Sequence, residues 1–354
     1  VDLNLSDEQQ QLVDSFGALY AKESPPERVR AAEPTGHDPE LWLRLLENGA
    51  LEMAVDERAG GWGASLLDLA LVAEQHGRHL GSAPLIEAQA AARLLARLGS
   101  HLGPGSTWAG AELLESALAG ARLVTFALHP PVDGVLPLVP AGAVADDVVY
   151  FDGTSLRHLE LGDPRRTVST IGSLPLADIS VPSATTELSS GAGAVAAFDE
   201  AVNEWMILMA GALVGLAGRA LDIGVEYVKE RKAFGVPIGS FQAVSHGLAD
   251  AATALDGGML LAREAAWSAE VEPARTPELG PLAFGFCTEA AREASYRSLH
   301  YHGGYGFMVE YDIQLYFRRA RGWPAQFVEP DVAFAMAAAH RLASHRPAAP
   351  GEGS

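Results

Sequence analysis

The sequence predicts an α+β chain, mainly α. It divides into an N-terminal helical domain over residues 1–105, a small middle antiparallel β-domain over 106–190, a C-terminal four-helix bundle over 191–345 and a tail over 346–354. Three observations predict this. Apolar residues recur at helical spacing through both end regions. Short β-rich runs bounded by Gly, Pro and Asp occupy the middle. A charged triplet, Glu230-Arg231-Lys232, followed by Gly235 and Pro237, then interrupts a long apolar helix, and another helix restarts near Phe241.

The N-terminal region opens with Ser6-Asp7-Glu8-Gln9, where Ser6 is placed to cap a helix and Gln9 stands at its third position. Asp38-Pro39-Glu40 starts a helix the same way, with Pro39 suited to the first turn. Gly60-Gly61-Trp62-Gly63 reads as a glycine-rich connector. The helix after it carries Glu74, Gly77 and Arg78 and ends before Pro84. In the middle region, residues 123–128, 148–151 and 167–171 are β-rich, Asp152-Gly153 marks a turn, and residues 189–193 read as a linker.

In the last region Gly215, Ala217, Ala220, Leu221 and Tyr227 share helical spacing, and Arg231 falls on the final turn before the break. Leu248, Ala249 and Leu255 belong to the restarted helix. The small residues of Ala210-Gly211-Ala212 and Gly215-Leu216-Ala217-Gly218 allow close helix approach and are expected at contacts between subunits.

Composition narrows the function. The 354 residues are 48% hydrophobic with interrupted apolar runs, as in a soluble globular protein of two or three domains. No run approaches about 18 uninterrupted apolar residues, so no membrane span is expected. Val1-Asp2-Leu3-Asn4-Leu5 lacks the apolar core of a signal peptide. A single cysteine, Cys287, predicts a reducing, cytoplasmic setting. The net charge of −20 argues against nucleic acid as a partner, and an anionic ligand would need a local basic patch. His300 and His302 lack further ligands at metal-site spacing, so no metal is assigned. Neither a Ser-His-Asp order nor a Walker loop is present.

Two blocks carry a family resemblance. One is Arg231, Gly235, Pro237-Ile238 and Phe241-Gln242. The other is His302-Gly303-Gly304-Tyr305-Gly306-Phe307, followed by Glu310-Tyr311 and Arg318-Arg319-Ala320-Arg321. Their order and distance resemble the acyl-CoA dehydrogenase family over nearly the whole chain. The resemblance implies FAD as cofactor, an acyl-CoA substrate and an electron-transfer flavoprotein or similar acceptor. It places Arg231, Phe234, Gln242, His300, Gly303 and Gly304 at the ADP half of a flavin lying between subunits. There the glycine backbone would approach the pyrophosphate. The Gly60–Gly63 connector would lie near the acyl-chain pocket. Arg318, Arg319 and Arg321 read either as a solvated helix face paired with local acids, or as a subunit or CoA-phosphate contact.

The chain also departs from the family. Catalytic members carry a longer β-domain, with a Thr-Glu-Pro segment and a Trp-Ile-Thr-like strand against the flavin ring. Here Ala127-Leu128-His129-Pro130 replaces the first, and no counterpart of the second occurs. The family's general base would fall either at Gln326–Phe327 or at Trp205. The nearest carboxylates, Glu329 and Glu204, are the two candidates, each displaced by one or two residues. On a helix one residue is about 100° of rotation. A short β-domain with an unclear base resembles the smaller subunit of actinobacterial α2β2 acyl-CoA dehydrogenases, several of which act on CoA esters of steroid side chains. The leading expectation is therefore a subunit of such a complex. The alternatives are a self-sufficient homotetrameric acyl-CoA dehydrogenase and a non-catalytic structural partner without flavin.

Overall fold

The computed structural model describes residues 4–100 and 108–344. The expected tail over 346–354, the boundary at 105/106 and residues 1–3 lie outside the described residues. Six helices come first: α1 (Asp7–Glu23), α2 (Pro26–Ala32), α3 (Pro39–Glu47), α4 (Leu66–Arg78), α5 (Leu85–Ser100) and α6 (Ala109–Leu118). Ser6 and Gln9 form a reciprocal capping box on α1, and Asp38 accepts from the Glu40 and Leu41 amides at the start of α3. A second capping box, Ser65 with Asp68, starts α4.

Seven strands follow: β1 (Val124–Phe126), β2 (Val135–Val139), β3 (Asp147–Phe151), β4 (Ser155–Glu160), β5 (Arg166–Val168), β6 (Leu176–Ser180) and β7 (Thr186–Ser190). They form two sheets, ordered β1-β3-β4-β7 and β2-β6-β5. Pairing is antiparallel except that β1 joins β3 in parallel, Val124 facing Asp147. A parallel pair needs a crossover, and the excursion through β2 supplies it. Of the linker expected over 189–193, Ser189 and Ser190 belong to β7, which closes the sheet against β4 with Ser155 facing Ser190, and Gly191 alone separates that strand from the next helix. Solvent faces of edge strands carry polar residues, so Ser and Glu there hid the strand.

The last region holds α7 (Ala192–Glu230), the short hairpin β8 (Lys232–Ala233) and β9 (Val236–Pro237), then α8 (Gln242–Val271), α9 (Thr276–His302), α10 (Ile313–Gly322) and α11 (Pro330–Ser344). By length and composition α7 could cross a membrane, but 72% of its most apolar window is buried within the fold. Its small residues are used inside the chain. An added Cβ at Gly215 would lie 1.8 Å from Glu74 O, and one at Gly211 would lie 2.7 Å from Ala70 O, so α7 presses on the backbone of α4. Those glycines therefore do not serve the subunit contact expected of them. The arginines of α10 are likewise internal. Arg319 is 1% exposed and donates to Glu33 just past α2 (3.2 Å), Arg318 pairs with the same carboxylate, and Arg321 lies 3.7 Å over the Phe317 ring. Arg318 and Arg319 clamp α10 to the N-terminal helices, while Arg321 packs on its own helix.

Candidate functional site

Three helix ends converge at one end of the C-terminal bundle. Arg231 caps α7, its backbone N–H donating to Tyr227 O (2.9 Å). The chain then reverses through the β8–β9 hairpin, with Phe234 at φ 53° and Gly235 at φ 83°. A bulky residue at positive φ is strained by about 1–3 kcal/mol, and Phe234 gains no burial in return, being 97% exposed. Packing within this chain does not explain it. Gln242 opens α8, and Tyr301 Oη donates to Ala243 O (3.4 Å), tying that start to the end of α9.

Tyr227 stacks on His302 with centroids 3.9 Å apart. His302 Nδ1–H donates to Ser298 O (2.7 Å), and burial holds its pKa below the ordinary value, so it acts as a neutral spacer. His300 is exposed and stacks on Tyr296 (5.8 Å). Gly303 ends α9 at φ 62°, ψ −139°, and a Cβ added at Gly303 or Gly304 would meet nothing within 4 Å. The space over both glycines is open to a ligand, although the Gly303 N–H itself donates to His300 O. Lys229, Arg231 and Lys232 are exposed and make no ion pair among the described residues. In a chain of net charge −20, uncommitted cations beside open glycine backbone fit a diphosphate. The residues present thus suit the ADP half of FAD.

The ring half does not fit. After β1, His129 Nε2–H donates to Gln326 O (3.2 Å) and its ring tilts against Phe327 at 5.6 Å. Phe327 meets Trp205 edge-on at 5.7 Å, and Trp205 packs on Phe284 at 5.8 Å. The two positions at which the resemblance places a base therefore do meet, one from α7 and one from the α10–α11 connection. Trp205 fills one, and Gln326 and Phe327 stand at the other, none of them a carboxylate. The cavity between His76, Glu87, Ala141, Trp323 and Gln326 is only ≈ 30 Å³, room for a water or two and not for a tricyclic ring. A larger cleft of ≈ 680 Å³ opens on the other side of Phe327, lined by Leu128, Phe198, Val202 and Met206, with Asp199 and Glu200 among its walls.

Neither expected carboxylate is free. Glu204 is 3% exposed, and its Oε1 accepts from Arg93 (2.7 Å) and Arg97 (2.8 Å). Burial pushes its carboxyl up, but the two guanidiniums outweigh this and hold it at about 2. Glu329 is on the surface in a bidentate pair with Arg292 (2.7 and 3.2 Å), which lowers its pKa. The carboxylate that sequence reasoning missed is Glu87, on the first turn of α5. It is buried, and burial lifts its carboxyl to about 7, partly offset by a backbone amide and the Trp205 indole. Trp205 Nε1 reaches no acceptor in good geometry, so that indole contact is weak. Its sequence signal was a lone Glu in the apolar run from Leu85 to Leu95. Among the described residues no three His, Cys, Asp or Glu groups lie together as a metal site.

These features define a mainly helical scaffold with an exposed, cationic end to its C-terminal bundle. The acyl-CoA dehydrogenase N-terminal domain matches residues 6–102 and the C-terminal domain matches residues 195–324. The chain belongs to the acyl-CoA dehydrogenase family. It is 34% identical to acyl-CoA dehydrogenase IpdE2 of Mycolicibacterium smegmatis, over 92% of this chain and 96% of that one. It is 30% identical to IpdE2 of Mycobacterium tuberculosis, over 91% and 93%. Its fold is similar to that in the ChsE4–ChsE5 complex from Mycobacterium tuberculosis, with TM-score 0.81 and 24% identity over 98% of this chain and 100% of that one.

Proposed function

We propose that this chain is one subunit of an FAD-dependent acyl-CoA dehydrogenase complex that introduces an α,β double bond into an acyl-CoA. It contributes the ADP half of the flavin site, and an unlike, homologous subunit contributes the ring contacts and the base in an α2β2 assembly. One observation carries the reading: Trp205 stands at one base position and packs at 5.7 Å on Phe327, which with Gln326 marks the other. The reaction needs a carboxylate within hydrogen-bond reach of the substrate α-carbon, and neither position supplies one. Two named relatives support the finer points. IpdE2 is a full-length match, and ChsE4–ChsE5 is a complex of two chains. A CoA ester of a steroid side chain is the proposed substrate, an electron-transfer flavoprotein the proposed acceptor, and the cytoplasm the proposed location. Co-expression with the partner encoded beside it tests this. The complex should be yellow and active while the isolated chain is colourless. A yellow, active homotetramer of this chain alone would refute it.

One observation favours the second reading, a self-sufficient enzyme. Glu87 is a buried carboxylate with a pKa near neutrality beside Trp205, a state suited to a base. Turnover by the Glu87→Gln complex separates the two readings.

A further inference from the structure

Arg30 belongs to the N-terminal helix α2, yet its side chain is committed to a segment 279–282 residues away. Nε donates to Val309 O (3.0 Å), and Nη2 donates to Glu310 O (3.3 Å) and Asp312 Oδ1 (2.7 Å). One guanidinium thus holds two carbonyls and a carboxylate of the stretch between the glycine turn and α10. Asp312 stands at the N-cap of α10 but makes no capping bond there. Its carboxylate answers Arg30 instead.

That stretch has little else to hold it. Val309 is 71% exposed, and Met308 and Glu310 are also exposed. Its inward contact is Tyr311, which packs on Tyr305 of the turn (5.5 Å) and on His302 (6.0 Å), itself stacked on Tyr227. The path from Arg30 therefore runs through Tyr311 to the residues that flank Gly303 and Gly304. Gly303 holds a conformation that only glycine adopts readily, and open glycine backbone keeps its geometry only if its surroundings impose it.

We propose that Arg30 is a positioning residue for the flavin diphosphate. It holds residues 309–312 so that Tyr311 packs on His302 and Tyr305, which flank the Gly303–Gly304 turn, and keeps the turn's backbone in one arrangement. The inference rests on the ADP-half assignment above. It predicts a flavin-affinity effect from a domain otherwise concerned with the acyl group.

The test uses the co-expressed complex, stripped of FAD and titrated with it, with flavin fluorescence as readout and the melting temperature of the stripped complex as control. Arg30→Ala should weaken FAD binding by about tenfold, within the range of indirect coupling, while Arg30→Lys, which keeps the Asp312 pair, restores part of the loss. Arg28→Ala serves as a control on the same helix, because Arg28 pairs with Glu23 and Asp38, away from the turn. It should leave FAD affinity unchanged. If Arg30→Ala prevents assembly, Asp312→Asn weakens the same contact from the other side and should show a smaller loss of the same sign. Unchanged affinity in Arg30→Ala, or equal losses in Arg28→Ala and Arg30→Ala, overturns the inference. Arg231→Ala keeps the two levels apart: a loss there with none in Arg30→Ala refutes only the positioning role, whereas no loss in either refutes the ADP-half assignment as well.

Discussion

Replacing Glu87 by Gln should change how stability depends on pH. An unfolded Glu titrates at its ordinary value of 4.5, while burial lifts the folded carboxyl to about 7. The folded state therefore binds more protons between these values. A raised pKa contributes stability that is fully present below 4.5 and is lost as pH rises through about 7. The gap is worth about 3 kcal/mol in all, at about 1.4 kcal/mol per pH unit. Between about pH 5 and about pH 8.5, roughly 2.5 kcal/mol of it disappears. Gln has nearly the same shape and no charge to desolvate. His76 and His79 complicate a single curve, because burial holds both at about 4 and they gain stability with rising pH. Their contributions cancel when wild type and Glu87→Gln are compared at each pH. Denaturant unfolding at matched pH should find Glu87→Gln gaining on wild type as pH rises from about 5 to about 7 and the margin levelling off above neutrality, with a difference of about 2.5 kcal/mol opening across the range. Parallel curves would refute the reasoning and place an ordinary carboxyl at Glu87.

Arg231→Ala should lower flavin occupancy of the complex, read as the ratio of flavin to protein absorbance, with the helical circular dichroism unchanged. Neither Glu329→Gln nor Glu87→Gln should abolish turnover in the co-expressed complex; a fall of about 10³-fold, the size of losing a general base, would assign catalysis to this chain. Glu204→Gln should also keep its chemistry but lose about 3 kcal/mol or more of stability by stranding Arg93 in the interior and leaving Arg97 only its Glu200 partner, measured by denaturant unfolding. Glu33→Ala should be similarly destabilising through Arg319, which burial lowers to about 10 and which keeps its charge through Glu33. Mass and flavin absorbance on one gel-filtration peak should give two FAD per four chains, and FAD should raise the melting temperature of the complex and not of the isolated chain.

What the sequence made legible was local. Ser6-Gln9 and Asp38-Pro39 announced helix starts because a cap is written in adjacent residues. The end of α7 was legible because Gly235 and Pro237 act on the backbone directly. Partners distant in sequence were not. The parallel union of β1 with β3 depends on which strand the chain passes on its way round, and the run of Ser and Glu in β7 carries no apolar alternation to betray a strand. Gly211 and Gly215 correctly signalled a close approach but not that α4 makes it. At the site, Arg231 was readable from its motif. Glu87 was not, because a buried carboxylate is recognised by what surrounds it, and its neighbour Trp205 is more than a hundred residues away.

The two halves of the candidate site differ in how they meet the demands of folding, and this bears on function more than the motifs alone do. A general base in a dehydrogenase must be desolvated and left without a committed partner, which is unfavourable in a stable interior. At Trp205 and Phe327 this chain has an aromatic contact instead, worth about 0.5–1.5 kcal/mol beyond the area it buries. Glu204 beside it is neutralised by two arginines. Apart from Glu87, buried beside Trp205, that half is packed as a core. The bundle end is not. It keeps Phe234 at positive φ and fully in solvent, a glycine turn with nothing packed on it, and three cations without acids in a strongly acidic chain. Each feature is unfavourable in the isolated chain, and each is relieved by one arrangement. The proposed diphosphate would take up the cations and lie over the glycine turn, and the proposed second chain would cover Phe234. Strain that no intrachain contact compensates marks the part of the molecule still held to a task. That measure supports the proposal that the bundle end, and not the core around Trp205, is the part of this chain that would serve a shared flavin.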